Sequence, residues 1–216
     1  MSAPGRFVTF EGGEGAGKST QIERLARRLA AKGLRVRLTR EPGGPKDGSI
    51  EPAAALRKML VEGDPARWSP TSEALLNYAQ RVEHVTRFVA PALAAGDWVL
   101  CDRFADSTMA YQGYGHGLGA GFVRALHRAT LGSFKPDVTF VLDIPVDQGL
   151  ARAASRAGTE TRFERFPRDF HERVRRGFRA IARAEPKRCA LIDARGSLDE
   201  VEASIAKALA KRFPKI

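Results

Sequence analysis

The 216 residues suit one ordinary domain, with 43% hydrophobic and 28% charged residues leaving enough apolar surface for a real core. That excludes disorder or a collagen-like chain as the main theme, and no apolar stretch approaches the length that crosses a bilayer. The formal charge is +11, and the twelve basic against five acidic residues from Arg152 to Arg188 carry +7 of it. Such an excess suits nucleic acid, an anionic membrane or a small polyphosphate, and equally a solvated arginine-rich surface. Met1–Arg6 runs straight into a strand-like segment without the apolar core of a secretory leader. Cys101 and Cys189 stand in apolar runs at no metal spacing, as buried thiols in a reducing cytoplasm would.

Phe7–Glu11 reads as a short buried strand ending in a glycine-rich turn. Lys18–Lys32, with Ile22, Leu25 and Leu29 at helical spacing, reads as the helix after it, stopped by Gly33. Val36–Arg40 is a second strand, and Pro42–Pro52, rich in Gly, Pro, Asp and Ser, a loop. Helices are expected over Ala53–Val61 and Thr71–Ala95, and further strands over Trp98–Asp102 and Asp137–Asp143. Leu191–Asp193, reaching back toward Arg188, is the fifth strand, and Leu198–Arg212 a closing amphipathic helix. Repeated β-then-α units with non-alternating apolar strands predict an α/β fold: a parallel sheet with helices on both faces, in a single domain spanning 1–216. Helical periodicity fails over Arg156–Arg168, so a small arginine-rich lid over the strand ends is expected at about 152–168.

Gly12-Gly13-Glu14-Gly15-Ala16-Gly17-Lys18-Ser19 fits G-x-x-x-x-G-K-[ST], with a strand before it and a helix after it. Glycines let successive N–H groups converge on one anion at the positive end of the following helix. Lys18 can reach the β- and γ-phosphates of a nucleoside triphosphate, and the Ser19 hydroxyl can hold Mg²⁺. The third strand ends in Asp102-Arg103. A hydrolysing ATPase often has Glu after that Asp to activate water; an arginine there favours transfer to a second anionic substrate.

Asp102-Arg103-Phe104-Ala105-Asp106-Ser107-Thr108-Met109-Ala110-Tyr111-Gln112-Gly113 resembles the DR[YF]-x-x-S-x-x-AYQG signature of thymidylate kinases. Thr39-Arg40-Glu41-Pro42-Gly43-Gly44 resembles their TREPGG loop, Glu73-Ala74-Leu75-Leu76 through Arg81 and His84 their long-helix motif, and Ile192-Asp193-Ala194 their last strand. The likeness covers about residues 7 to 213. It implies a three-layer P-loop kinase fold with a five-stranded sheet, transfer of the γ-phosphoryl of ATP to dTMP with Mg²⁺, and a cytoplasmic homodimer with no nucleic-acid or membrane partner. It also implies site residues. Gly12 to Thr20 and Arg195 would hold ATP, with Ser19 and Asp102 at the metal. Arg40, Arg57 and Arg103 are candidates for the acceptor phosphate, where forked guanidiniums suit phosphate oxygens. Glu14 would lie near the acceptor sugar and metal. Arg81 would donate to the thymine O4, Ser107, Thr108 and Gln112 would line the same pocket, and Tyr111 would crowd the sugar 2′ position.

Two departures stand out. The aromatic that the family commonly places four residues before the arginine is Asn77 here, so either Tyr78 beside it takes over the stacking through a local shift or the base is held without it. The loop position after Glu14, basic in some thymidylate kinases, is Gly15, which resembles the class where lid arginines supply the missing charge. Arg152 and Arg156, one helical turn apart, and Arg162 in Arg162-Phe163-Glu164 are the candidates, with Arg165 beyond them. Two other readings stay open: a kinase for another nucleoside monophosphate or a deoxynucleoside, and a basic nucleic-acid-binding P-loop ATPase.

Overall fold

The computed structural model describes residues 5–155, 162–214 and 216. Its five strands are β1 (Arg6–Glu11), β2 (Val36–Arg40), β3 (Trp98–Asp102), β4 (Val138–Asp143) and β5 (Cys189–Asp193). They form one parallel sheet in the order β2-β3-β1-β4-β5. The helices in chain order are α1 (Lys18–Ala30), α2 (Glu51–Val61), α3 (Pro70–His84), α4 (Ala90–Ala94) and α5 (Ala105–Thr108). They continue with α6 (Gly119–Leu131), α7 (Val146–Ala154), α8 (Arg168–Ala184) and α9 (Leu198–Arg212).

Strand side chains alternate between faces, and here both faces are covered. Val8 and Phe10 of β1, Leu100 of β3, and Phe140 and Leu142 of β4 pack with Leu25 and Leu29 of α1 and with Val201, Ile205 and Leu209 of α9. The alternate residues face the other layer. Phe7, Val99 and Cys101 join Val89 and Phe104, while Val141 joins Phe170, Val174 and Phe178 of α8. This accounts for the non-alternating apolar strands.

The expected helix Thr71–Ala95 is one run with a wide π-helical turn, Val85–Val89, between α3 and α4. Pro91 explains it: the ring has no N–H to donate to residue 87 and would clash with that carbonyl in a regular helix. A second π-helical stretch, Met109–Gly115, continues α5. The register sets Asp102 of β3 beside Phe10 of β1 and Arg40 of β2, so three carboxyl strand ends open onto one crevice.

Candidate active site

The turn from Gly12 to Ser19 wraps the head of α1. Gly15 has φ 65°, and a Cβ on it would stand 1.9 Å from the carbonyl oxygen of Gly149 in α7. Loop and helix therefore meet backbone to backbone. Gly17 has φ 87° and no side chain caps α1, so its first-turn N–H groups are left for an anion. Lys18 folds back, with Nζ donating to the carbonyls of Gly12 at 3.2 Å and Gly13 at 3.0 Å. Burial, then the neighbouring Arg103 charge, push its ammonium down to about 8. Ser19 Oγ donates to Asp102 Oδ2 at 2.7 Å.

Arg103 is the one non-glycine residue among those described with a left-handed φ, 69°. Its surroundings over-determine that strained backbone. Its N–H donates to Phe10 O at 2.9 Å. Nη1 reaches Gly12 O and Ser107 Oγ, and Nη2 reaches Glu14 Oε1 at 2.9 Å and the Tyr111 hydroxyl at 3.0 Å. Tyr111 in turn donates to Glu14 Oε1 at 2.6 Å. Burial alone would raise the Glu14 pKa, but the charges of Arg103 and Lys18 outweigh it and hold it at about 2. The Glu11 carboxyl, its pKa raised to about 8 first by burial and then by the Asp106 charge, fixes the chain beyond, accepting from Phe104 N and from both N and Oγ of Ser107.

On the far side of the cleft the Arg81 guanidinium is buried on α3, its side chain 1% exposed. Nε donates to Glu41 Oε2 at 2.6 Å, and Nη2 to Phe104 O and Thr108 Oγ1. Nη1 is buried with no hydrogen-bond partner. Glu41 is steadied by His84, which bridges it to Thr39. Gln112 Nε2 donates to Glu73 Oε1 at 2.6 Å, and Asn77 Nδ2 to Glu73 O at 2.9 Å.

One cleft of about 700 Å³ joins these parts. It is lined by the loop from Glu14 to Thr20, by Arg40, Arg57, Asp102 and Arg103, and by Asn77, Arg81, Ser107, Thr108, Tyr111 and Gln112. Gly12 and Gly13 lie behind it, lining a small cavity with His171. Arg57 reaches the cleft across Gly43, whose φ of 113° and missing Cβ let the arginine stem pass, a Cβ there being 2.8 Å from Arg57 Cδ. The long loop before α2 also brings Lys46 to the lining.

Other expected residues stand elsewhere. Tyr78 does not replace the stacking aromatic: it is 1% exposed, turned to His127 at 3.3 Å, with the Arg81 guanidinium over its ring. The aromatic side chains that do line the cleft are Phe104, Tyr111 and Phe163. Arg162 does not face the phosphate side. Its guanidinium is fully enclosed, paired with Glu73 and donating to the carbonyls of Leu60, Asp64 and Pro65. Arg152 holds the turn after β5 through Ala194 O and Arg195 O and is not in the cleft lining. Arg195 is exposed and paired with Asp193 at 2.5 Å. Arg165, also exposed, donates to Gly63 O at 3.2 Å. Arg156 lies outside the described residues.

Sequence reasoning gave no role to Glu11, Glu41 and Glu73. A signal was present for the last two, because a buried arginine needs a buried counter-charge and each acid falls inside a motif, although not the one that holds its arginine. Among the described residues no cluster of three or more His, Cys, Asp or Glu side chains could hold a metal ion. No helix among them is long and apolar enough to cross a membrane.

The profile of a family described as thymidylate kinase matches residues 10–205. The thymidylate kinase of Caulobacter vibrioides is 51% identical over 209 residues, covering 97% of this chain and 98% of that one. That of Bradyrhizobium diazoefficiens is 48% identical over 214 residues, covering 98% and 92%. The crystal structure of thymidylate kinase from Ehrlichia chaffeensis superposes with a TM-score of 0.76 at 32% identity, over 96% of this chain and 100% of that one.

Proposed function

The chain belongs to the thymidylate kinase family and phosphorylates dTMP with ATP, and we propose that its cleft divides that reaction between a phosphate half and a base half. An oxygen of the acceptor phosphate attacks the γ-phosphorus of ATP. The bond from that phosphorus to the bridging oxygen of ADP breaks, giving dTDP and ADP. The attacking oxygen is already anionic near neutral pH, so no general base is required. What the protein must supply is alignment of two like charges and cations for the charge that develops.

The turn from Gly12 to Thr20 takes the triphosphate, with Lys18 exchanging its two loop carbonyls for the β- and γ-phosphates. Arg40, Arg57 and Arg103 face the acceptor phosphate across the cleft. Glu14, ionised and bound to Tyr111 and Arg103, places its carboxylate and the Tyr111 ring where the acceptor sugar passes. The hard oxygens of Ser19 and Asp102, 2.7 Å apart, fit Mg²⁺, an ion that takes its other ligands from water and phosphates and neutralises their charge.

The observation that carries the base half is the unpartnered Nη1 of buried Arg81 in the same cleft as Gln112. A buried donor left unpaired is costly unless a ligand satisfies it. Gln112 turns its NH₂ to Glu73, which leaves its carbonyl oxygen for the cleft. A donor beside an acceptor matches thymine, which offers O4 as acceptor and N3–H as donor. Cytosine offers the reverse at both atoms. Asn77, on the wall where an aromatic would stack, leaves the base held chiefly by its edge. We also infer a homodimer, supported by the exposed Leu75 on α3 and Phe122 on α6, two helices that pack together.

A coupled assay of transfer from ATP across dTMP, dUMP, UMP, dCMP, AMP and GMP tests this reading. dTMP should lead, with dUMP next and dCMP far behind. Comparable turnover with either purine monophosphate would overturn the base half.

A further inference from the structure

Two enclosed charges, Glu73 and Arg162, have no part in the transfer described above. The side chains are 1% and 0% exposed. The Glu73 carboxylate is shared. Oε1 accepts from Gln112 Nε2 at 2.6 Å and lies 3.5 Å from His116 Nε2, while Oε2 faces Arg162 Nη1. Arg162 is anchored independently: Nε donates to Asp64 O at 2.9 Å, Nη1 to Leu60 O at 3.0 Å and Nη2 to Pro65 O at 2.7 Å. The guanidinium is thus fixed by the last turn of α2 and the chain that follows it, and it fixes the carboxylate in turn.

An ionised carboxylate can only accept hydrogen bonds. Burial raises the Glu73 pKa, but the nearby His116 ring and the Arg162 charge outweigh it and hold the carboxyl below the usual carboxylate range, so it is ionised at neutral pH. Gln112 must therefore turn its NH₂ toward Glu73. Its amide has two faces of opposite polarity, and the one left for the cleft is the carbonyl oxygen.

We propose that Glu73 is a specificity-determining positioning residue, which sets the Gln112 amide so that the cleft offers an acceptor to the base, and that Arg162 holds Glu73 to this task. The inference rests on the reading that Gln112 meets the base edge. It gives the arginine-rich segment a role in choosing the acceptor, at a residue that does not line the cleft.

The test compares kcat/KM for dTMP and dCMP, with the KM for ATP and the melting temperature as controls. In E73Q the new amide must turn its oxygen to the Arg162 charge and its NH₂ to Gln112, which flips. The cleft then shows a donor, and the dTMP/dCMP ratio should narrow by roughly tenfold or more, on the scale of one mismatched hydrogen bond. E73Q could fail to fold, so a pair without buried charge accompanies it. E73Q/R162M keeps an acceptor free to face Gln112, and its ratio should stay within about threefold of the parent, under 1 kcal/mol. E73M/R162M removes that acceptor, and its ratio should narrow by about tenfold or more. Equal ratios in the two double variants would overturn the inference. Q112A separates the layers. If it leaves the ratio unchanged, Gln112 does not read the base, and the reading beneath falls together with the inference. If Q112A shifts the ratio while the double variants agree, the role of Glu73 alone falls.

Discussion

Replacing Arg81 by methionine should injure the protein in two separable ways. The first is stability. Arg81 and Glu41 are 1% and 2% exposed, so R81M leaves the Glu41 carboxylate buried with His84 as its remaining titratable partner. Breaking a buried pair from one side costs about 3–5 kcal/mol. At about 2–4 °C per kcal/mol for a chain of this size, the melting temperature should fall by roughly 6–20 °C. Adding E41Q removes the stranded charge and should restore most of that loss. The second injury is recognition, which E41Q cannot repair because the Nη1 donor is gone. A hydrogen bond from a charged donor contributes about 1.5–3 kcal/mol, so the KM for dTMP should rise roughly 10–150-fold in both variants. Calorimetric melting and steady-state kinetics at saturating ATP read the two effects separately. A double variant with the parental KM for dTMP and the parental preference over dCMP would refute the assignment of Arg81 to the base.

K18A should retain its fold, since Nζ touches only loop carbonyls, yet lose at least roughly 10²-fold in kcat; normal turnover would mean that the Gly12–Ser19 turn is not the ATP site. Lys18 titrates near 8 in the free protein, so at pH 8.5 it is mostly neutral and bound phosphates should restore its proton. ATP binding there should take up a proton, seen as a binding heat that depends on the buffer's ionisation heat, and this uptake should vanish by pH 6.5. G15A should lower the melting temperature by several degrees and slow turnover, because the added methyl meets Gly149 O in a backbone conformation that already costs about 1–2 kcal/mol without glycine. L75E should shift a dimer toward monomer in sedimentation equilibrium, and an unchanged dimer mass would place the interface away from that face of α3.

Local chemistry made much of this legible in the sequence. β2, β3 and α9 have the expected bounds, and the phosphate turn announces itself because its glycines, lysine and serine act within eight residues. α2 begins two residues earlier than expected, at Glu51, since Pro52 falls in its first turn, where a missing N–H removes no helical bond. The π-helical Met109–Gly115 was not legible, as its hydrogen bonds follow no apolar period that a sequence window reads. Tyr78 lost the contest with Asn77 through helix phase: one residue turns the side chain about 100°, away from the cleft and toward His127. Arg162 was hidden for another reason. Beside Glu73, its partners are carbonyls about a hundred residues upstream, and a carbonyl leaves no mark on the side-chain sequence.

The contact between Gly15 and Gly149 also bears on how such a chain can change over generations. A side chain at 15 overlaps the α7 backbone, and one at 149 would come within 2.4 Å of Glu14 O. Each glycine thus holds the other in place, and the pair is locked against single substitution from either side. The basic residue that some thymidylate kinases carry at the Gly15 position is out of reach of this chain by one amino-acid change, whatever its benefit to charge. It becomes accessible only after α7 has been displaced, and displacing α7 first sacrifices the seat of the phosphate loop. A loop cation and a helix seated this closely are therefore alternatives separated by a less fit intermediate, and lineages holding one should seldom cross to the other.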